Sequence, residues 1–506
     1  MGQRMSIHDE QARERTLSRG EEAYSVLLPP THGCEQAVVL LGLGPLPQDA
    51  LPTEDRHVHV AYVEYEPFAM AMPPEWNASI PATWRPISPE QAVTMAASGS
   101  EVRLYRQNLR LFNSFWGPLV AAVQASRLDS PGRSPAASTP SVVVPGDDGD
   151  LLTKEIEAAL TELGYRTVRV PSRETAAVLP GLLRDDRPVC LLSVNGRGLD
   201  ADGQIVRLAQ ACGVPTALWL VDNPWHLLSG WTQTWWRDVR LFVTDASFLA
   251  PLQAHGARSV HHLPLGAWMR PPVSPYQGEP LRPLVFVGRS AFPDKQKFFS
   301  GLRCDPLLLD EARRYFHASR LRPDFDWWTD RLGFTSLWPG KASRRLGLHA
   351  ETASQAYRAA WLYAAESHGL TVFGDSGWRD ILPCATLPPD VRPPVDYYGG
   401  LASIYASARF SLNMTSLLLP HGLTQRHFDV WSAGGFLLTD ATPGLSLFPE
   451  ELTREIRLAH PDDLGAAVQR FERDPSLYQN VRAAWELHIR SEHTIINMMK
   501  TLINSF

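Results

Sequence analysis

The stretch HGLTQRHFDVWSAGGFLLTD, His421 to Asp440, decides how this chain is read. A polar segment with Arg426 and Asp429 runs into Gly434 and Gly435, and an apolar run then ends on Thr439 and Asp440. Thr424 stands where its hydroxyl could cap a helix beginning at Gln425. Phe428 and Trp431 would face inward, and the paired glycines would end the helix. Phe410-Ser-Leu-Asn-Met414 before it and Phe436 to Thr439 after it read as short buried strands. Strand, helix and strand in close succession point to a parallel sheet covered on both faces.

The same plan extends outward. Leu284-Val-Phe-Val-Gly288 and Leu370 to Phe373 supply further strands of this block, and helices over Pro461 to Glu472, Ser476 to Ile489 and Glu492 to Ile503 close it. An earlier block, Ser141 to about Pro275, alternates Ser141-Val-Val-Val, Thr167-Val-Arg-Val, Val189 to Val194, Thr216 to Val221 and Leu241-Phe-Val-Thr with helical segments. Its helix over Leu151 to Leu163 ends at Gly164, as a C-cap glycine would have it. A first block holds strands at Ala37-Val-Val-Leu-Leu-Gly and His57 to Val63, and a helical pattern through Leu111, Phe112, Phe115 and Leu119. The Ser-, Pro- and Gly-rich SRLDSPGRSPAASTP, Ser126 to Pro140, reads as a linker. The expected class is therefore α/β: two Rossmann-like doubly wound domains, 141–275 and 276–506, preceded by a smaller α/β domain over 1–125 and the linker 126–140. A Trp- and Arg-rich insertion, about Asp305 to Leu348, fits no clean pattern.

Bulk properties narrow the function. A formal charge of −6 over 506 residues gives no sign of a nucleic-acid backbone binder. Only five of the 48 basic residues are lysine, so a single arginine is weak evidence for a site. Five scattered cysteines without a CxxC pair fit a reducing compartment, and no apolar run reaches the ~20 residues of a membrane span. A cytoplasmic location is expected.

The chemistry is expected at strand ends. A helix N-terminus behind Thr424 would offer free N–H groups and partial positive charge to a phosphate. Arg426 would add a planar donor, and Asp429, on the same face, would accept from ribose hydroxyls. An exposed i,i+3 ion pair on an ordinary helix would show the same spacing. Gly288, Arg289, Lys295 and Lys297 follow another strand. Trp378, after Gly374-Asp-Ser-Gly, would either stack on a base or pack in the core. Asn195 ends one strand of the middle block, and Asp222-Asn223-Pro-Trp-His226 ends the next. Asp222 is the first candidate for a general base, with His226 second and Asp245 third; a carboxylate fixing the turn before Pro224 is the equal alternative.

These motifs resemble those of GT-B glycosyltransferases, particularly the CgeB-like (spore-maturation-type) group. Ser411-Leu-Asn-Met-Thr415 looks like that group's Leu-Asn strand, Arg426-His-Phe-Asp429 like its R-x-F-[DE], and Gly434-Gly-Phe-Leu-Leu-Thr-Asp440 like its G-[GA]-F-L-L-T-[DE]. Pro443-Gly-Leu, Leu447-Phe, His493-Thr494 in the closing helix, Leu218-Trp-Leu-Val-Asp-Asn-Pro224 and Leu263-Pro-Leu agree with it. The likeness covers about Ser141 to the end. It implies the GT-B arrangement of the two larger domains and a nucleotide-sugar donor. It also implies that the diphosphate leaving group is stabilised without metal or other cofactor by a helix N-terminus (Gly422, Thr424) and by Arg and Lys side chains. Asn195, Asn223 and Asp245 would lie on the acceptor side. Many retaining members carry two acids eight residues apart, with seven residues between them; here the second falls on Asp429 and the first on His421, a departure in the part that reads the sugar. The product would be a cell-surface glycan, with a protein, lipid or polysaccharide acceptor.

Other signals point elsewhere. Asp148-Gly-Asp150 matches a manganese-binding triplet but more simply caps the helix at Leu151. Gly42-Leu-Gly44 with Glu64 and Glu66 has the outline of a dinucleotide or S-adenosylmethionine site. Pro45 and the missing third glycine oppose it, so a methyltransferase ranks below two other readings: a glycosyltransferase and a non-catalytic GT-B-like scaffold. Residues 1–125 could dock a protein partner.

Overall fold

A computed structural model describes residues 5–31, 37–51, 59–128, 139–270, 273–382 and 390–506. Most of the expected linker, together with Cys34, Cys384 and the start of the expected strand at His57, lies outside the described residues. By density of contacts the chain divides into two compact units. One comprises Met1–Asp150, Tyr165–Leu218 and Gln233–Arg240; the other comprises Leu151–Gly164, Trp219–Thr232 and Leu241–Phe506.

The chain begins with an antiparallel ribbon of β1 (Ser6–His8) and β2 (Glu14–Thr16). The first sheet holds β3 (Tyr24–Leu28), β4 (Ala37–Leu41), β5 (His59–Val63), β6 (Arg85–Pro86) and β7 (Glu101–Tyr105) in the order β3-β7-β4-β5-β6. Only the edge strand β3 runs antiparallel.

The second sheet holds β8 (Ser141–Pro145), β9 (Arg166–Val170), β10 (Cys190–Val194), β11 (Thr216–Leu220), β12 (Arg240–Val243) and β13 (Ser259–His262), ordered β13-β12-β11-β10-β8-β9. Every residue of β8, β10 and β11 is buried, as strands covered on both faces require.

The third sheet holds β14 (Leu284–Val287), β15 (Leu370–Phe373), β16 (Asp390–Arg392), β17 (Phe410–Asn413), β18 (Leu437–Asp440) and β19 (Arg457–Leu458). Its order is β16-β15-β14-β17-β18-β19, parallel throughout. Numbered within the sheet this is 3-2-1-4-5-6, the doubly wound dinucleotide-fold order. The order reverses between β14 and β17, so the crossovers on either side pass over opposite faces and leave a crevice at the strands' carboxyl ends. The fold class is thus the expected one: α/β, two Rossmann-like sheets preceded by a smaller α/β region.

The helix Arg426–Ser432 packs against Pro475–Glu492 through Trp431 and Trp485, whose ring centroids are 5.1 Å apart and planes 4° apart. Such a pair contributes about 0.5–1.5 kcal/mol beyond the area it buries. His493 and Thr494, expected inside a helix, instead separate two. Thr494 caps Ile495–Ile503 by accepting from Asn497 N, and it bridges back to Ala267. The insertion folds as the helices Pro306–Ser319 and Phe325–Leu332 and the first turns of Ala342–Glu366, which continues past it toward β15.

Candidate functional site

The turn after β14 lies at the switch point and is braced from several sides. Gly288 N donates to Phe373 O at 2.9 Å, and Gly288 O accepts the Trp378 indole at 2.8 Å. A Cβ on Gly288 would come within 2.9 Å of the Phe286 ring and 3.4 Å of Arg426 Nη1, so only glycine fits without a shift. Asp375 accepts from Ser290 N (2.8 Å) and Ser290 Oγ (2.6 Å). Arg358, reaching in from the helix Ala342–Glu366, donates to Arg289 O at 2.8 Å and Ser290 O at 3.0 Å. The Arg289 side chain is left exposed.

After β17, the loop to residue 425 is tied by a buried ion pair. Arg322 Nη1 lies 2.8 Å from Asp440 Oδ2, with the two side chains 5% and 0% exposed. Arg322 also donates to Thr415 O (3.2 Å), Thr442 Oγ1 (2.9 Å) and Pro420 O. Asp440 in turn accepts from Thr415 N (3.1 Å) and Tyr357 Oη (3.0 Å). The acid that ends the opening stretch therefore anchors the two ends of the loop, Thr415 directly and Pro420 through Arg322.

Between these loops lies a cavity of about 530 Å³. Asp222, His226, Gly288, Arg289, Arg358 and Arg426 all line it. Arg426 is anchored by Nε to Asn413 Oδ1 (2.8 Å) and by Nη1 to Val287 O (2.7 Å). Three guanidinium groups thus converge where a parallel sheet presents its ligand crevice, alongside two carboxylates, Asp222 and Glu351. Burial, with Arg344 adding to it, lowers the His226 pKa to about 4, so its ring is neutral near neutral pH.

The helix N-terminus behind Thr424 is built differently from the expected cap. The helix spans only Arg426–Ser432, and its N-cap is Gln425, without a side-chain cap bond. The Thr424 hydroxyl instead donates to Asn413 Oδ1 at 2.8 Å, and Thr424 N donates to His427 Nδ1 at 3.0 Å. The N–H groups of His427, Phe428 and Asp429 donate to the carbonyls of Thr424 and Gln425. A neighbouring strand took the hydroxyl that local sequence assigned to the cap. Positive charge at this place comes from arginine side chains.

Arg426 and Asp429, expected side by side, line different cavities. Asp429 faces a smaller one, about 200 Å³, with Trp268, Arg270, Tyr397 and Tyr405. Its carboxylate accepts from Tyr397 Oη and Gln425 Nε2, both at 2.9 Å. Burial raises its pKa to about 6, against the lowering effect of those two hydrogen bonds. The Arg270 guanidinium lies 4.4 Å from the Trp268 ring centroid and 5.1 Å from that of Tyr397.

The remaining expected residues disperse. Trp378 is fully buried with its N–H on Gly288 O, which makes it a brace and not a stacking platform. Lys295 lies 3.8 Å from Glu351, on a neighbouring groove. His421 lies 3.7 Å from Asp324 in a third cavity. Asp245 is fully buried and accepts from Ser247 N, Ser247 Oγ and His421 N, a loop tie that keeps it from solvent. Asn223 caps the short helix Pro224–Leu228 and donates to Leu418 O at 2.6 Å. Gly422 O accepts from Thr442 at 3.1 Å, and a Gly444 Cβ would meet it at the same distance. Asn195, after β10 in the other unit, adopts left-handed backbone (φ 53°).

The Asp148–Asp150 pair does not cap a helix. That helix starts at Thr153 behind Leu152, while Asp148 pairs with Arg169 at 2.7 Å and Asp150 with Arg197 at 3.3 Å. Among the described residues no group of three His, Cys, Asp or Glu side chains could hold a metal ion, and no helix is long and apolar enough to cross a membrane. The Gly42–Gly44 turn is filled by its own neighbours. A Cβ on Gly42 would lie 2.0 Å from Asn108 Nδ2, and Glu64 accepts from Leu43 N at 2.7 Å.

Sequence reasoning missed Arg358 and Glu351. Both sit on one face of Ala342–Glu366, seven residues apart, and the helical spacing was there to be read.

Comparison with known proteins bears on this region. Residues 355–504 match the family model described as "Glycosyl transferase-like". No curated protein sequence matches. Among solved structures, the chain is similar to T4 phage BGT in complex with UDP and Mn2+, at 8% identity and a TM-score of 0.40, covering 72% of this chain and 97% of that one. It is also similar to an OtsA apo structure, at 12% identity and a TM-score of 0.40, covering 72% and 99%. A structure titled trehalose-6-phosphate from E. coli bound with UDP-2-fluoro glucose has 12% identity and a TM-score of 0.36, covering 72% and 98%.

Proposed function

We propose that this chain is a GT-B glycosyltransferase of the CgeB-like group, moving a sugar from a nucleotide-sugar donor to an acceptor hydroxyl. One observation carries the reading: Arg289, Arg358 and Arg426 converge on a single cavity at the switch point of the third sheet, the latter two inside the glycosyl transferase-like segment. Negative charge grows on the diphosphate as the glycosidic bond breaks, and fixed guanidinium groups stabilise it there with no divalent cation required. Arg426 is held in place before the donor arrives by Asn413 and Val287, so little side-chain freedom is lost on binding. The transferred sugar occupies the part of the cavity toward Asp222, which takes the acceptor proton as the new bond forms. The nucleoside enters the smaller cavity, where Asp429 accepts from ribose hydroxyls beside Trp268 and Tyr397. Residues 1–125 serve as a docking domain for a protein partner.

The test is a thermal-shift panel of UDP-, GDP- and CDP-sugars, followed by mass spectrometry of the hit with lysate as acceptor and with EDTA present. A stabilising donor whose sugar appears on an acceptor despite EDTA supports the reading; no stabilisation by any of them refutes it. A second reading, a non-catalytic scaffold, is favoured by His421, which stands at the expected acid position and faces Asp324 instead of the arginine cavity. Donor binding that leaves the donor intact after prolonged incubation would select that alternative.

A further inference from the structure

With His421 engaged elsewhere, the arginine cavity still contains a carboxylate that no motif marks. Glu351 lies within the helix Ala342–Glu366, is 2% exposed, and lines the cavity. Its Oε1 is buried and accepts no hydrogen bond among the described residues. The nearest cations are Lys295 Nζ at 3.8 Å and Arg358 Nη2 at 3.9 Å. A closed charge-assisted pair would lie at about 2.7–2.9 Å, so both cations balance the charge without filling the acceptor. A buried carboxylate oxygen left this way carries a desolvation penalty that a donor would relieve.

Its position along the helix is informative. Gly347, one turn before, packs on His226: a Cβ there would come 1.9 Å from His226 Nε2. Ser354, three residues after Glu351, accepts from Leu417 N at 3.1 Å. Arg358, two turns after it, holds Arg289 O at 2.8 Å. Residues 347, 351, 354 and 358 form one helical face. On that face Glu351 falls between the end that packs on His226 and the end that holds the Arg289–Ser290 turn, and it shares the cavity with Asp222, so it lies where the transferred sugar of a bound donor would be placed.

We infer that Glu351 is a specificity-determining residue that accepts hydrogen bonds from hydroxyl groups of the transferred sugar. It supplies from the helix Ala342–Glu366 the acid that His421 does not. The assignment rests on the nucleotide-sugar reading of the cavity. A site built to hydrogen-bond a hydroxyl discriminates strongly against analogues that lack it, because the buried acceptor is then left unfilled.

The experiment is calorimetric titration of wild-type protein and Glu351→Gln with UDP, UDP-glucose, UDP-N-acetylglucosamine, GDP and GDP-mannose. Glu351→Gln preserves shape and removes the charge. The expected result is nucleoside diphosphate affinity unchanged within about twofold and nucleotide-sugar affinity reduced by about tenfold or more, the loss of a hydrogen bond to a charged group. Equal weakening of both ligands, or of neither, overturns the role of Glu351 while leaving the donor reading intact. Wild-type protein that binds none of the five overturns the donor reading and this assignment with it. Should the variant fail to fold, wild-type protein is titrated with deoxyfluoro forms of the bound nucleotide-sugar. Weakening by at least one hydroxyl-to-fluorine exchange supports a buried acceptor, and indifference at every position refutes it.

Discussion

Asp440→Asn isolates the tie that shapes the site. In the wild-type protein Asp440 is fully buried and balances Arg322, whose side chain is 5% exposed. It also fixes Thr415 N and the Tyr357 hydroxyl. The amide keeps the shape but removes the charge, leaving a nearly buried guanidinium without a counter-ion. Breaking a buried pair from one side costs about 3–5 kcal/mol. At roughly 2 °C per kcal/mol for a unit of this size, the melting temperature should fall by about 6–10 °C. Urea titration followed by tryptophan fluorescence measures the loss directly. The double variant Asp440→Asn/Arg322→Met should recover part of it, because the uncompensated charge is gone. A single variant within about 1 kcal/mol of wild type, or a double variant less stable than the single one, would refute the view that this ion pair holds the 415–422 loop.

Arg358→Gln should weaken nucleotide-sugar binding by about tenfold to a hundredfold, one charge-assisted hydrogen bond, in calorimetry; unchanged affinity would remove it from the diphosphate site. Asp429 has a pKa raised to about 6, so its carboxylate forms as pH rises from 5 to 7. Nucleotide-sugar affinity should increase over that interval, and the increase should vanish in Asp429→Asn. Asp222→Asn should slow turnover by about a hundredfold or more while leaving donor affinity alone, as loss of a general base does; a full-rate variant excludes that role.

The strands of the third sheet were legible because each is a short apolar run between polar segments, and β14, β15, β17 and β18 fall within a residue or two of their expected places. Their order was not, since the sequence of a strand does not state its neighbour. The Thr424 cap failed for a tertiary reason: Asn413 on β17 competes for the same hydroxyl. Arg426 and Asp429 share a helical face only near the axis. Arg426 reaches back to Val287 while Asp429 is held by Tyr397, and neither partner is close in sequence. The insertion carried readable starts, Asp305 accepting from Leu307 N and Asp324 from Trp327 N, hidden by an unusual density of tryptophan and arginine. Glu351 and Arg358 enter the site from a helix that no motif flagged, and only the packing of that helix on the Gly288–Ser290 turn brings them in.

Hydrogen exchange with and without the nucleotide-sugar that stabilises the protein most tests the placement of the donor. Slowed exchange at 288–291 and 416–419, with residues 37–51 unchanged, is the expected result. Protection confined to the Gly42–Gly44 turn, or absent from both arginine-cavity loops while the ligand is bound, would contradict it.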